Sequence, residues 1–324
     1  MILVTGASGF VGQPLCRRLG VATEVKALVR TLANPSGEQT VAGENGGHVQ
    51  WMAAGDLHAV TDWSALLRGV STVIHLAART HVLHETASEP LAAYRRINVE
   101  VTERLARSCA AAGVKRVVFL SSIKVNGEST CQSPFRESDT PQPQDAYGFS
   151  KHEAEVSLTN IGRVSGLEIV IVRPPLVYGP GVKGNFLRLL NIARQGWPLP
   201  LASVQNLRSF IYVENLVDAI ATCATHPKAA GKTYLVSDAE DTSTPELLRQ
   251  LSSRLGKPAR LIPFPPWLLR VAATMVGRGA EASRLLGSLR VDSSFIQSDL
   301  DWTPPFRMTE GLNRTVQWHK DKFQ

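Results

Sequence analysis

The stretch ILVTGASGFVG, residues 2–12, decides how the rest of the chain is read. A short apolar run, Ile2–Thr5, breaks into Gly6, Gly9 and Gly12, and a helix-period segment follows over residues 10–19. The spacing is GxxGxxG rather than GxGxxG, but the physical demands are the same. They are a tight turn, close approach of the backbone to a pyrophosphate, and close packing of helix on strand. The start of the helix offers free N–H groups and a partial positive charge to that anion. Pro14 falls in its first turn, where the missing N–H costs little. Strand, glycine turn and helix together predict a dinucleotide site built from Gly6, Gly9, Phe10, Val11 and Gly12.

Further apolar runs lie at residues 25–29, 48–52, 72–76, 117–120 and 169–172, with helix-period segments such as 92–112 between most of them. Short continuous apolar strands joined by helices predict an α/β fold with a doubly wound parallel sheet of Rossmann-like form. Its ligand crevice belongs at the carboxyl ends of the strands. Beyond Pro174 the rhythm loosens and prolines multiply. The expected division is a dinucleotide-binding part, residues 1–173, and a smaller substrate-binding lobe, 174–324, parts of which return to the main sheet. Residues 31–47 (TLANPSGEQTVAGENGG) read as a polar, mobile loop. Residues 134–144, with three prolines, lead into the helix that contains Tyr147. There is no internal repeat.

Composition narrows the classes. The 35 Lys+Arg against 28 Asp+Glu give a net charge of +7, which favours polyanionic ligands. The basic residues are scattered, without a run or aromatic interleaving, which argues against a nucleic-acid surface. Cys16, Cys109, Cys131 and Cys223 are too few and too far apart for a disulfide framework or a zinc cluster. Cys16 and Cys109 fall on helical apolar positions, as buried free thiols do. The chain enters a strand at once, leaving no room for a signal peptide, and no apolar run approaches a membrane span. Residues 266–276, broken by Arg270, read as a surface or interface helix. These features fit the cytoplasm, with no membrane insertion. His81 and His84 (HVLH) lack a third ligand in reach, so no metal is expected. Trp63, Trp197, Trp267, Trp302 and Trp318 are expected to pack the two lobes together.

Where the second strand ends, the sequence reads Val29-Arg30 instead of offering a carboxylate. A carboxylate there would bind a ribose 2′-OH, whereas an arginine can pair with a 2′-phosphate. Arg30, with Lys26 nearby, tilts the expected cofactor toward NADP(H) over NAD(H).

Tyr147-Gly148-Phe149-Ser150-Lys151 places a phenol and an ammonium four residues apart, on one face of a helix. A free tyrosine titrates at about 10. A positive charge some 4–6 Å away at intermediate dielectric contributes roughly 3–4 kcal/mol, or two to three pKa units, so Lys151 is expected to draw Tyr147 down. Tyr147 could then act as general acid or base toward an alcohol/ketone pair. Ser121 and Ser122 end the run 117–120, where α/β sheets hold ligands, and Ser122 could share the substrate oxygen.

Taken together, these segments resemble the extended short-chain dehydrogenase/reductase family, of the NAD-dependent epimerase/dehydratase type. UDP-galactose 4-epimerase and the nucleotide-sugar 4,6-dehydratases and keto-reductases belong to it. TGASGFVG (5–12), GDL (55–57), HLAA (75–78), the helix with Asn98, SSxxVxG (121–127), YGFSK (147–151) and RPPLVYGPG (173–181) occur in the family's order over nearly the whole chain. The resemblance implies that Asp56 and Leu57 hold adenine and that Ala77, between Leu76 and Ala78, lines the cofactor's middle. It gives Ser122 the reacting oxygen, Tyr147 the proton and Lys151 the nicotinamide ribose as well, with Pro174 beside the nicotinamide. Asn185 and Arg208 match positions that contact the nucleotide diphosphate, and Arg284 matches a second phosphate-binding arginine. A homodimer is also typical of the family.

Departures refine the expectation. The 4,6-dehydratases carry an Asp-Glu pair after the catalytic hydroxyl; this chain has Ile123-Lys124, so dehydration is disfavoured. SSIKVNGE (121–128), GVKGNF (181–186) and PLPL (198–201) look most like UDP-sugar 4-keto-reductases of bacterial O-antigen synthesis. The reading therefore leans to a 4-keto-reductase, with a UDP-sugar 4-epimerase holding NAD permanently as the alternative. A dinucleotide-sensing regulator without catalysis is the distant third. Lys124 is left between a substrate phosphate and solvent.

Overall fold

A computed structural model describes residues 1–32, 39–42, 47–80 and 89–323. In chain order the elements begin β1 (Ile2–Thr5), α1 (Gly12–Leu19), β2 (Glu24–Val29), β3 (Gln39–Ala42), β4 (His48–Ala53), α2 (Ser64–Leu67) and β5 (Thr72–His75). Next come α3 (Pro90–Arg95), α4 (Val101–Ala111), β6 (Arg116–Leu120), α5 (Ala146–Ser165), β7 (Glu168–Arg173), β8 (Leu176–Tyr178) and α6 (Gly184–Gln195). The last are β9 (Phe210–Tyr212), α7 (Val213–Thr225), β10 (Thr233–Leu235), α8 (Thr244–Arg254), α9 (Pro266–Met275), α10 (Gly279–Leu286), α11 (Ser294–Leu300) and α12 (Met308–Phe323). A π turn, Arg96–Glu100, joins α3 to α4, so the segment expected as one helix carries a bulge at Asn98.

One sheet organises the molecule, in the order β10-β7-β6-β5-β1-β2-β4-β3. All neighbours pair parallel except β3, which runs antiparallel to β4 at the edge. Residues 39–42 form a strand inside the stretch 31–47 that reads as a polar, mobile loop; residues 33–38 and 43–46 lie outside the described residues. That four-residue segment pairs with β4 through its backbone, and its sequence, QTVA, is too short to show a period. Inside the sheet the residues alternate. Leu3, Val73, Val117, Phe119 and Ile169 face a core shared with Leu105 of α4 and Leu158 of α5. Ile2, Val4, Ile74, Val118 and Val170 face the other, with Leu15 of α1, Leu216 and Ile220 of α7 and Ile296 of α11. Both faces are covered, as parallel strands require. Order reverses at β1, so the crevice between the loops after β1 and β5 is the topological switch point.

Beyond residue 174, β8 and β9 form a two-stranded sheet among α6, α8 and α12, with Tyr178 stacked on Phe186 at 5.1 Å. β10 returns to the main sheet beside β7, and α7 lies on α1. Of the tryptophans expected to pack the two parts together, Trp302 does so and the others named next do not. Trp63 is sealed among the residues around Leu3 and Trp302 among those around Val4, while Trp197 and Trp267 are exposed. The helix α9 has no buried residue, as a surface helix should. Burial pushes the thiols of Cys16, Cys109 and Cys223 up to about 12, making them inert; Cys131 is exposed. No helix among the described residues is long and apolar enough to cross a membrane. His81 and His84 lie outside the described residues.

The first turn depends on missing side chains. Gly6 has φ +70°, and a Cβ there would lie 2.8 Å from the backbone nitrogen of Ala77; one at Gly12 would lie 2.3 Å from the Gly6 carbonyl oxygen. Gly12→Ala must displace backbone, and a loss of about 3 kcal/mol is expected in urea unfolding. Gly69→Ala, at positive φ (+73°) but facing open space, should lose only about 1 kcal/mol. Equal losses would contradict this packing.

Candidate active site

The expected cofactor residues gather at the carboxyl edge of the sheet. Gly6 abuts Ala77, whose N–H donates to Thr5 Oγ1 at 3.3 Å, so the loops after β1 and β5 are tied together. The helix α1 begins without a side-chain cap or an acidic residue in its first turn; Gln13 and Leu15 N–H already bond the Gly9 and Val11 carbonyls, so the N–H of Gly12 and the glycine turn before it are what an anion would meet. Arg30 is exposed at the end of β2, and its carbonyl accepts from Gly55 N at 3.2 Å. Asp56 is beside it, exposed, with Oδ1 accepting from His58 N at 3.0 Å; Leu57 is half-buried. Leu76, Ala77 and Ala78 directly follow β5, and Pro174 directly follows β7. This uncapped glycine turn and its surround fit a dinucleotide.

At the ends of β6 and β7 the reacting groups converge. Ser122 is extended (φ −157°, ψ 148°) and caps a short 3-10 turn, Ile123–Val125, by accepting from Lys124 N at 3.3 Å. Asp145 caps α5, its Oδ1 accepting from Gly148 N at 2.8 Å. That places Tyr147 in the first helical turn, where its phenol lies near the Ser122 hydroxyl and its ring meets Tyr94 edge-on at 6.1 Å. One turn on, the buried Lys151 donates to the Leu120 carbonyl at 2.7 Å, 4.2 Å from the centre of the Phe119 ring. Asn98, on the π turn, accepts from Arg79 N at 2.8 Å and donates to Ser150 Oγ at 3.0 Å, holding the strand-5 loop to α5. His75 spans Thr5 Oγ1 at 2.6 Å and Thr102 Oγ1 at 2.9 Å beneath them. Because the Thr102 hydroxyl donates to the Asn98 carbonyl, His75 Nε2 is assigned as the proton carrier.

The electrostatics differ from the helix-spacing argument. Burial raises the Tyr147 phenol above its ordinary value, the Asp145 carboxylate raises it further, and the nearby Ser122 hydroxyl pulls the other way. Lys151 does not depress it as expected. Burial draws the ammonium itself down to about 7, with Glu155 opposing, and its proton is directed at the Leu120 carbonyl. His75, drawn down to about 3 by burial and then by Lys151, stays neutral. Tyr147 therefore holds its proton at neutral pH and is set to donate it to an oxygen beside Ser122.

Three residues assigned to the substrate meet in one cluster. Lys124 turns inward to Glu128 (2.9 Å) and to Asp145, and Arg284 reaches Glu128 (3.2 Å) and Asp145 (3.6 Å). Burial holds Asp145 up, but the bonds from Lys124 and Gly148 bring it below the usual carboxylate range. Arg208 donates to the Gly287 carbonyl at 3.0 Å and to that of Arg284. Asn185 is exposed in the first turn of α6, four residues after Gly181, which faces Phe10.

Sequence reasoning missed Glu155, Asp145 and Glu128. Glu155 is sealed against Arg173, whose Nε is 2.9 Å from Oε1, and Ser121 donates to the same oxygen. Arg173 also donates to Asn126 Oδ1 at 2.9 Å, and Asn126 donates to the Arg136 carbonyl at 3.0 Å. The available signal was helical phase: residues 147, 151 and 155 share one face of α5.

The family described as NAD dependent epimerase/dehydratase matches residues 2–237. UDP-glucose 4-epimerase of Vibrio cholerae is 42% identical over 98% of this chain and 94% of its own length. N-acetyl-alpha-D-glucosaminyl-diphospho-ditrans,octacis-undecaprenol 4-epimerase of Escherichia coli O157:H7 is 25% identical over 98% and 94%. The solved structure of MoeE5 in complex with UDP-glucose and NAD superposes with a TM-score of 0.77 at 25% identity, covering 100% of this chain and 99% of that one.

Glu155→Gln leaves the Arg173 charge buried without a full partner. It should cost about 3–5 kcal/mol by urea unfolding, and adding Arg173→Met should recover part of the loss. A single variant as stable as the parent would contradict this.

Proposed function

This chain belongs to the NAD dependent epimerase/dehydratase family and is an enzyme of the extended short-chain dehydrogenase/reductase type, and from that premise we propose that it is a UDP-glucose-type 4-epimerase working with tightly held NAD. One observation carries the chemistry: Tyr147 stands beside Ser122 at the carboxyl edge of the sheet, one helical turn from Lys151. Two hydroxyls aimed at one place suit a single sugar oxygen that changes between alcohol and ketone.

In this reading Ser122 holds O4 of the sugar and Tyr147 exchanges its proton. Bound NAD supplies the carbon that accepts hydride from C4 and a positive charge that favours the phenolate. Tyr147 would take the O4 proton while the cofactor accepts hydride from C4, which balances as oxidation of the alcohol to a 4-keto sugar. After the sugar turns over and the bound cofactor gives the hydride back, Tyr147 would return the proton to O4. No net oxidation results. Lys151, from the same helix face, would hold the nicotinamide ribose. Gly6, Gly9 and Gly12 with the start of α1 would hold the pyrophosphate, and Asn185, Arg208 and Arg284 would meet the nucleotide diphosphate.

The choice of epimerase over the keto-reductase that Arg30 and residues 124–126 favour rests on the Vibrio cholerae relative. NAD in the MoeE5 complex supports NAD here ahead of NADP(H). A place in polysaccharide synthesis rests on the Escherichia coli relative. The homodimer is inferred from the resemblance to the family alone, and the exposed Phe149, Val156 and Val164 of α5 are apolar residues it would cover.

Purified protein should release near-stoichiometric NAD(H) on denaturation and convert UDP-glucose to UDP-galactose with none added. Protein without bound dinucleotide that instead consumes NADPH on a 4-keto sugar would restore the keto-reductase. Tyr147→Phe should lower kcat by about 10²–10⁴-fold. Parent-like turnover would remove Tyr147 from the proton transfer.

A further inference from the structure

We propose that Lys124 is a positioning residue for the C4 chemistry, locking the Ser122 turn to the first turn of α5 and neutralising the Asp145 carboxylate beside Tyr147. The inference rests on the reading of Ser122 and Tyr147 given above. Lys124 touches both reacting elements. Its backbone N–H donates to Ser122 Oγ at 3.3 Å. Its carbonyl lies so close to Gly148 that a Cβ there would stand 2.9 Å away. Its ammonium pairs with Asp145, the cap of α5, and with Glu128 at 2.9 Å. Ser122 and Tyr147 thus sit on two segments that one side chain, 13% exposed, fastens together.

The pairing also has an electrostatic consequence. Among the charged and titratable groups near Tyr147 are Asp145 at the cap, Lys151 one turn on, and Tyr94 of α3 with Arg79 over its ring at 5.4 Å. Behind Asp145 stand Lys124, Glu128 and Arg284. Asp145 raises the phenol, and Lys124 is its nearer cation; Arg284 is 3.6 Å away. Without Lys124, more of the Asp145 field reaches Tyr147, and the turn holding Ser122 loses its tie to α5. The two carboxylates already engage the Lys124 ammonium, so a direct bond to substrate phosphate is the weaker use of it.

The test compares full-length parent, Lys124→Met, Lys124→Arg, Asp145→Asn and the Lys124→Met/Asp145→Asn pair. It reads kcat and KM for UDP-glucose against pH. Activity that needs the phenolate rises with pH through the Tyr147 pKa. Lys124→Met should lower kcat at neutral pH roughly tenfold, keep KM within about twofold, and move that limb upward by about one pH unit. Lys124→Arg should restore most of kcat. Asparagine still caps a helix, so Asp145→Asn should fold and move the limb downward, alone and in the pair. That outcome is readable even if Lys124→Met does not fold. A raised KM with an unmoved limb would make Lys124 a phosphate ligand and overturn the proposal. An unmoved limb in Asp145→Asn would overturn it too. Parent-like activity of Tyr147→Phe would instead defeat the underlying reading.

Discussion

Glu155, sealed between α5 and the ends of β6 and β7, is the constraint on which the site depends. A carboxylate so placed is tolerable only with its charge met and its oxygens bonded. Arg173 and Ser121 meet both needs, and Arg173 passes the connection to Asn126 and on to the Arg136 carbonyl. One ionic contact therefore fastens the Tyr147 helix to the two strands whose ends carry Ser122 and Pro174. Such a pair adds little net stability compared with an apolar replacement. What it contributes here is a fixed relation between a helix and two strand ends.

Around that frame, environment separates the titrating groups. Burial makes the Tyr147 phenol harder to ionise and the Lys151 ammonium easier to discharge. A phenol that keeps its proton until a positive field arrives is suited to giving and taking the same proton in one cycle. The glycine turn, uncapped at the start of α1 and pressed against Ala77, fixes where a pyrophosphate can lie relative to these groups. Chemistry and cofactor position both follow from how strands β1, β5 and β6 end.

Much of this was legible in the sequence, for physical reasons. Parallel strands buried on both faces leave continuous apolar runs, and all six such runs form strands of the main sheet. Gly6 and Gly12 announce themselves because no other residue fits. Residues 39–42 did not, because an edge strand can pair through backbone alone. Asp145, Glu128 and Glu155 look like solvated charges until the fold brings Lys124, Arg284 and Arg173 to them. The spacing of Tyr147 and Lys151 fixed a shared helix face, but not that the ammonium would point to the Leu120 carbonyl. Trp197 and Trp267 show the converse, large apolar residues left exposed.

The central claim is that hydride leaves C4 and returns to the same carbon while one tyrosine carries the proton. UDP-glucose deuterated at C4, incubated with the purified enzyme in ordinary water and analysed by NMR, tests it directly. The deuterium should remain at C4 of the UDP-galactose formed, without loss to water or to added NAD. Protium at C4 of the product, or deuterium in the free cofactor pool, would contradict the account.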